Sequence, residues 1–302
     1  MSSSSDPAQR LAQVAALTAH IAQTAGLDCR LRTALEELDK RLGYSHTMLL
    51  VPEAEERLIM LACRGYPSGG VGAELRLGEG AIGVAAARRI PVHIANVTRG
   101  LNMVRAAQAR PEGSAPAKIP FPGLVSVMSQ VAVPAVVDDT LVAVLYAEDT
   151  RVGWFSEPDV QCLQIIASQL AIHVLHAADD EAALGRAEVP ISRGPSELVV
   201  RYYEADSSVF FGDEYVIKSL PGRILRKLLR EHLSDGRTEF SKKELRLDPE
   251  LKLPAVRDNL DTRLILLRRH LEERFPFARI EATGRGRFKL TVQAGIQLEE
   301  HA

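Results

Sequence analysis

The stretch LVSVMSQVAVPAVVDDTLVAVLYAED, Leu124 to Asp149, constrains the fold more than any other part of the chain. Two runs rich in valine and alanine flank the pair Asp138-Asp139, a residue type that tolerates the backbone of a tight turn, so the segment reads as a β-hairpin. A hairpin alone cannot bury its apolar face and needs further strands or helices. The sequence supplies both. SHTMLLV and RLIMLACRG are short strand-like runs separated by the charged turn PEAEE, and AELRL follows. GEGAIGVAAARR reads as a small-residue helix after a Gly-rich turn, and IPVHIANV as a short strand running into a loop. Helical spacing appears at Leu11, Val14, Leu17 and Ile21, and again at Leu31, Leu35, Leu38 and Leu42, giving two helices or one broken near Gly26. After the hairpin, FSEPDVQCLQIIASQLAIHVL starts a long helix with Ser156 as N-cap and an apolar stripe of Val160, Leu163, Ile166, Ala167, Leu170 and Val174.

Length and charge then divide the chain. At 302 residues it is long enough for two domains. Residues 218–290 hold 19 Lys and Arg against 11 Asp and Glu, a surplus of 8 hidden within a whole-chain charge of −2. A basic region of that kind points to nucleic acid or another polyanion. EVPISRGPSE, with two prolines and a glycine, marks the junction. The expected organisation is a disordered N-terminus at 1–9, a first domain at 10–185, a linker at 186–196, a smaller domain at 197–292 and a tail at 293–302. The stretch from Gly100 to Gly123, with Pro111, Pro116, Pro120 and Pro122, reads as a long loop.

The smaller domain opens with three strand-like runs in ELVVRYYEADSSVFFGDEYVI. SLPGRILRKLLREHL is an amphipathic helix with Ile224, Leu225, Leu228, Leu229 and Leu233 inward and Arg223, Arg226, Lys227 and Arg230 outward. SKKELRL begins with Ser241 and has Glu244 three residues on, the pattern of a capping box. A third helix, Ala255 to Arg274, places Leu260, Leu264, Leu267 and Leu271 on one buried stripe, which fixes its rotation. Arg257, Asp258, Asp261, Thr262, Ile265, Arg268 and Arg269 then belong on or near the opposite surface. FARIEATGRGRFKLTV closes the domain as a hairpin with Arg285 at the tip and Arg287 beside it.

Several chemistries find no residues. Cys29, Cys63 and Cys162 are far apart and in no paired spacing, so neither a disulfide framework nor a metal site is indicated. No nucleophile and base pair can be assigned, so no catalytic residues are expected. There is no run of about 18 uninterrupted apolar residues, and MSSSSDPAQR lacks the features of a signal peptide, so no membrane role and a cytoplasmic location are expected.

Residues 10–180 resemble a GAF domain, through LGEGAIGVAAARRIPVHIANV, QVAVPAVVDDTLVAVLYAED and FSEPDVQCLQIIASQLAIHV in that order. Residues 196–292 resemble the winged-helix output domain of OmpR-type response regulators, through SVFFGDEYVIKSLPGRILRKLLREHL, GRTEFSKKEL, DNLDTRLILLRRHL and RIEATGRGRFKL. Together they imply an α+β chain: a GAF-like antiparallel sheet with flanking helices, followed by a smaller winged-helix domain. The implied function is a DNA-binding transcription regulator without catalytic activity, a homodimer through the N-terminal and 156–185 helices. On that resemblance double-stranded DNA is met by Arg257, Thr262, Arg263, Arg268, Arg269, Lys242, Lys243, Arg285 and Arg287. The sensor pocket is lined by His93, Asn96, Arg105, Phe121, Met128 and Asp149. No cofactor is implied, and the pocket leaves room for a small-molecule effector. Two departures stand out: no receiver domain precedes the output unit, and Ile265 and Leu266 add apolar residues to the third helix. The alternative is a signalling adaptor whose winged helix binds a protein through that pair.

Overall fold

The computed structural model describes residues 7–53, 56–67, 70–97, 121–175, 192–251, 253, 260–284 and 286–301. The chain divides into two compact units, Met1–Val174 and Leu175–Ala302.

In the first unit, helix α1 (Pro7–Gln23) starts within the region expected to be disordered, with proline where a helix tolerates it. It buries Val14, Leu17 and Ile21, whereas Leu11 points outward and is 66 % exposed. Gly26, at φ 77°, separates it from α2 (Leu27–Leu42), so the expected break yields two helices. Leu31, Leu35, Leu38 and Leu42 are buried as their spacing predicts. Six strands follow in one antiparallel sheet of order β3-β2-β1-β6-β5-β4: β1 His46–Glu53, β2 Arg57–Arg64, β3 Glu74–Arg76, β4 Val92–Ile94, β5 Ser129–Val137 and β6 Thr140–Asp149. Asp138 and Asp139 both have positive φ, as a two-residue hairpin turn requires.

The pleat sorts side chains to two faces. Met48, Leu50, Leu58, Met60, Ala132, Val144 and Tyr146 share one face, covered by α3 (Gly80–Arg88) through Ile82, Ala85 and Ala86. On the other, Leu49, Val51, Val131, Val133 and Leu145 are buried, and α2 packs against β1 and β2. Helix α4 (Glu157–Leu175) buries the whole expected stripe from Val160 to Val174. It runs beside α1, where Gln169 Nε2 donates to the Thr18 carbonyl at 2.9 Å.

The second unit has two sheets. Strands β7 (Leu198–Tyr203), β8 (Ser208–Phe211) and β9 (Glu214–Ile217) are antiparallel and precede α5 (Ser219–Asp235). Gly222 lets α5 lie against the turn before β8, since a Cβ there would stand 1.9 Å from the Ser207 carbonyl oxygen. Next come β10 (Glu239–Ser241), α6 (Lys242–Leu247), a 3-10 turn (Pro249–Leu251), α7 (Leu260–Arg274), β11 (Ala278–Gly284) and β12 (Arg287–Val292). The second sheet has the order β10-β12-β11. Leu228, Leu229, Leu245, Leu260, Leu264, Leu267, Leu271 and Phe288 meet in one core, while Leu233, expected inward, is largely exposed.

Two expectations about the ends of this unit are corrected. The segment after β12 is no loose tail: β13 (Ile296–His301) pairs in parallel with β7, Ile296 opposite Leu198. The end of the expected linker is also bonded in, with Gly194 N–H donating to the Gln293 carbonyl at 2.8 Å.

Candidate functional site

The face of the first sheet beneath α3 is apolar over most of its width and turns polar where β1, β5 and β6 end. His46, Gln130 and Glu148 are register partners there, and Tyr146 lies one pleat inward between Met48 and Ala132. Glu148 is 4 % exposed. Its Oε1 accepts hydrogen bonds from the Tyr66 hydroxyl at 3.0 Å and the Leu124 backbone N–H at 2.8 Å. Its Oε2 accepts from the Tyr146 hydroxyl at 2.8 Å, and that hydroxyl also lies 3.2 Å from Gln130 Oε1. The His46 ring meets the Tyr66 ring edge to face at 5.5 Å. Burial, followed by the charge of Glu148, raises the pKa of both tyrosines well above the ordinary phenol value, so both stay protonated donors. Residues 121–124 lie against this face: Phe121 packs on the apolar residues, and Leu124 holds Glu148.

The expected pocket residues separate on this frame. Phe121 is on the face. Asp149 is not: the pleat turns it to the other side opposite Ser129, where Arg151 grips it with two hydrogen bonds of 2.7 Å. Burial works against its charge, but the hydrogen bonds and charge of Arg151 outweigh this and hold the Asp149 carboxyl below the usual range. Its neighbour Glu148 is the inward residue of the pair. His93 is also corrected: it pairs across with Val131 rather than Ala132, so it belongs to the face opposite α3 and is exposed on an edge strand. Met128 contributes main chain, donating to the Asp149 carbonyl at 2.9 Å and accepting from Val97 N–H at 2.8 Å. Asn96 is half-buried just after β4. Arg105 lies outside the described residues.

On the helix-bearing side of this unit a second buried carboxylate, Asp159, sits at the start of α4. Arg10 of α1 forms an ion pair with it, the Tyr44 hydroxyl donates to it, and Ser156 N–H donates at 2.7 Å. The Ser156 hydroxyl donates to the same carboxylate, the reverse of the cap expected from sequence.

In the second unit, Ser241 and Glu244 form the expected capping box, with reciprocal bonds of 3.2 Å. The Lys242 N–H donates to the Gly286 carbonyl at 2.9 Å and ties α6 to the hairpin turn. Of the expected DNA-facing residues, Lys243 and Arg287 are exposed. The rest of the described set corrects the expectation. Thr262, Arg263, Arg268 and Arg269 are each no more than 9 % exposed, because every residue of α7 from Leu260 to Leu271 is buried, not only the leucine stripe. Lys242 is buried too, its ammonium paired with Asp261, which also takes Arg246 at 2.8 Å. Arg257 and Arg285 lie outside the described residues. On α5 the outward cations are largely neutralised: Arg226 by Glu300 of β13 at 2.8 Å, Lys227 by Glu231 at 2.5 Å and by Asp248, and Arg230 by Glu250 at 2.7 Å. Sequence counting finds the basic surplus but not Glu300, Asp248 and Glu250, which come from other elements; Glu231, four residues after Lys227, lies on α5 itself.

Among the described residues no helix is long and apolar enough to cross a membrane, and no group of three metal-binding side chains forms. No curated protein matches the sequence. Among solved structures, the GAF domain of the Acinetobacter phosphoenolpyruvate-protein phosphotransferase is similar at 20 % identity and a TM-score of 0.47, covering 61 % of this chain and 100 % of that one. The free methionine-R-sulfoxide reductase of Neisseria meningitidis, solved with its substrate, is similar at 18 % identity and a TM-score of 0.45, covering 59 % and 96 %. Likenesses of this size carry nothing about what the chain binds. A family model described as GAF domain matches residues 24–174, half of the sequence, and spans the six-stranded sheet with α2, α3 and nearly all of α4; the chain belongs to the GAF-domain family.

Proposed function

We propose that the chain is a transcription regulator in which the GAF sensor controls a winged-helix, DNA-binding output. It acts as a cytoplasmic homodimer and has no catalytic centre. The observation that carries this reading is the order of elements in the second unit: strands β7–β9, α5, β10, the short α6, the longer α7, and a hairpin folded back on β10. A winged helix needs a short helix braced on a longer one with a hairpin alongside. The α6 contact with α7 and the Lys242 bond to Gly286 supply that bracing. Lys243 and Arg287, exposed at the same end, are the phosphate contacts of this reading.

The burial of Thr262, Arg263, Arg268 and Arg269 gives the proposal a second part. Side chains closed off from solvent cannot reach a base edge, so DNA contact by α7 requires a form in which its outer face is uncovered. Effector binding then acts by favouring one form over the other. Dimerisation is assigned to α1 and α4, whose Leu11, Ile165 and Ile172 are 66 %, 49 % and 53 % exposed.

Mobility shifts of the full chain on duplex DNA over about 50 to 200 mM salt test the reading, since each phosphate contact adds about 0.9 to the salt slope. Salt-sensitive binding is expected. Its absence, both in the full chain and in residues 196–302, would overturn the reading in favour of a protein-binding adaptor. That alternative draws on Ile265 and Leu266, which lie off the leucine stripe of α7 and, like the rest of it from Leu260 to Leu271, are buried, so it too requires their uncovering.

A further inference from the structure

The described residues include six buried carboxylates, and five of them meet a cation. Asp28 has Arg32 at 3.0 Å and Glu37 has Arg41. Asp149 has Arg151 at 2.7 Å, Asp159 has Arg10, and Asp261 has Lys242 and Arg246. Glu148 is the exception. Its partners among the described residues are two phenol hydroxyls and one backbone N–H, all neutral donors. Leaving a carboxylate in an apolar wall without a counter-charge costs several kcal/mol, and a fold that balances the other five has no structural reason to leave this one. Buried charges in proteins are ordinarily paired, so a ligand's cation is one way to complete this one.

The surroundings narrow the ligand. Oε1 already accepts two bonds while Oε2 accepts one, so acceptor capacity remains on the Tyr146 side. The carboxylate sits at the polar end of this face with His46 and Gln130 as its cross-strand neighbours, and inward of it the face becomes apolar through Met48, Leu50, Met60 and Val144, with Phe121 packed against them. We infer that Glu148 is the recognition point for a small effector carrying a primary ammonium, amidinium or guanidinium on an apolar body. Gln130 and Tyr146 orient the donor, and the methionine and valine side chains hold the remainder. Because Leu124 N–H shares the carboxylate, a cation drawing on Glu148 weakens the hold on residues 121–124, which gives the sensor a mechanical readout.

This inference rests on the sensor half of the proposed function but not on DNA, so the two fail separately. Calorimetric titration of the full chain with n-pentylammonium, benzylammonium and agmatine, against 1-pentanol, benzyl alcohol and valerate, tests it without any nucleic acid. At least one amine is expected to bind, at least tenfold more tightly than the alcohol or carboxylate of like shape, and to shift the Leu124 amide resonance. Glu148→Gln should remove that preference. Tyr146→Phe, which keeps the carboxylate but removes an orienting hydroxyl, should weaken the amine yet retain its preference over the alcohol; should the first variant fold poorly, loss of that preference in Tyr146→Phe would place recognition on the phenol and overturn the assignment. Absence of amine binding, equal binding of amine and alcohol, or unchanged affinity in Glu148→Gln would overturn the assignment.

Discussion

Asp159 and Glu148 are both buried acids of the GAF unit, lying on opposite sides of its sheet, and they are handled in opposite ways. Asp159 is enclosed by an arginine, a tyrosine and a serine drawn from α1, the connection between α2 and β1, and the approach to α4. Glu148 also gathers three elements, but with hydroxyls and a backbone amide alone. The helix-bearing side of the unit therefore uses charge to join helices, with its electrostatics closed internally. The α3-bearing side keeps one carboxylate that meets only neutral donors among the described residues, and the proposed effector would supply its counter-charge. The same residue type serves cohesion in one place and reception in the other, and only the count of nearby cations tells them apart.

The contrast can be broken at its strong end first. Asp159→Ala strands the Arg10 guanidinium in a partly buried position and leaves the Tyr44 hydroxyl without its acceptor, and should cost about 3 kcal/mol in chemical denaturation. A smaller loss would mean that Asp159 is as loosely compensated as Glu148. Next is a buried group of the second unit with no compensating acid strong enough to hold its charge. Burial, aided by Arg274, lowers His270 to about 4. Its folded pKa lies below the ordinary value, so the unfolded chain binds more protons between pH 6.5 and 4, and stability should fall as pH drops through that window, by about 3 kcal/mol at most. Denaturation midpoints for the wild type and His270→Gln should converge at low pH; parallel curves would show that the histidine is not the source.

Weaker effects sharpen the comparison. Ser241→Ala removes one half of a capping box and should cost about 1 kcal/mol by thermal unfolding. Glu148→Gln loses no ion pair and keeps two acceptor bonds on its amide oxygen, so the change should stay within about 1 kcal/mol. A cost approaching that of Asp159→Ala would make Glu148 a structural acid and remove its receptive role. At the bottom, Lys243→Ala and Arg287→Ala should leave stability within about 0.5 kcal/mol, since both side chains are exposed. Under the proposed function each should lower the DNA salt slope by about 0.9.

Much of the architecture was legible in the sequence because it follows from local rules. The Asp138-Asp139 turn, the Ser241 capping box and the leucine stripe of α7 depend on residues a few positions apart, and all three are present. What escaped depends on distant partners. Glu148 and Asp149 are adjacent letters, and which one faces α3 is fixed by register with β1 and β5, some 20 to 100 positions away. The parallel strand β13 carries QLEEH, too polar to announce itself, and takes its order from β7. Arg263, Arg268 and Arg269 look like surface residues because arginine usually is one, and burial on all sides of a helix leaves no trace in its charge pattern.

The pairing of β13 with β7 reaches beyond the sheet it completes. Ile296 meets Leu198 from 98 positions further along the chain, so during synthesis β7 emerges long before the strand that covers its outer edge. An uncovered edge invites pairing with another chain. The GAF unit can close while the rest is being made, whereas the second unit must carry an open seam until β13 arrives. Any fragment that stops between Val292 and Ile296 keeps that seam permanently, and should be judged by its tendency to self-associate before its failure to bind is read as a property of the unit.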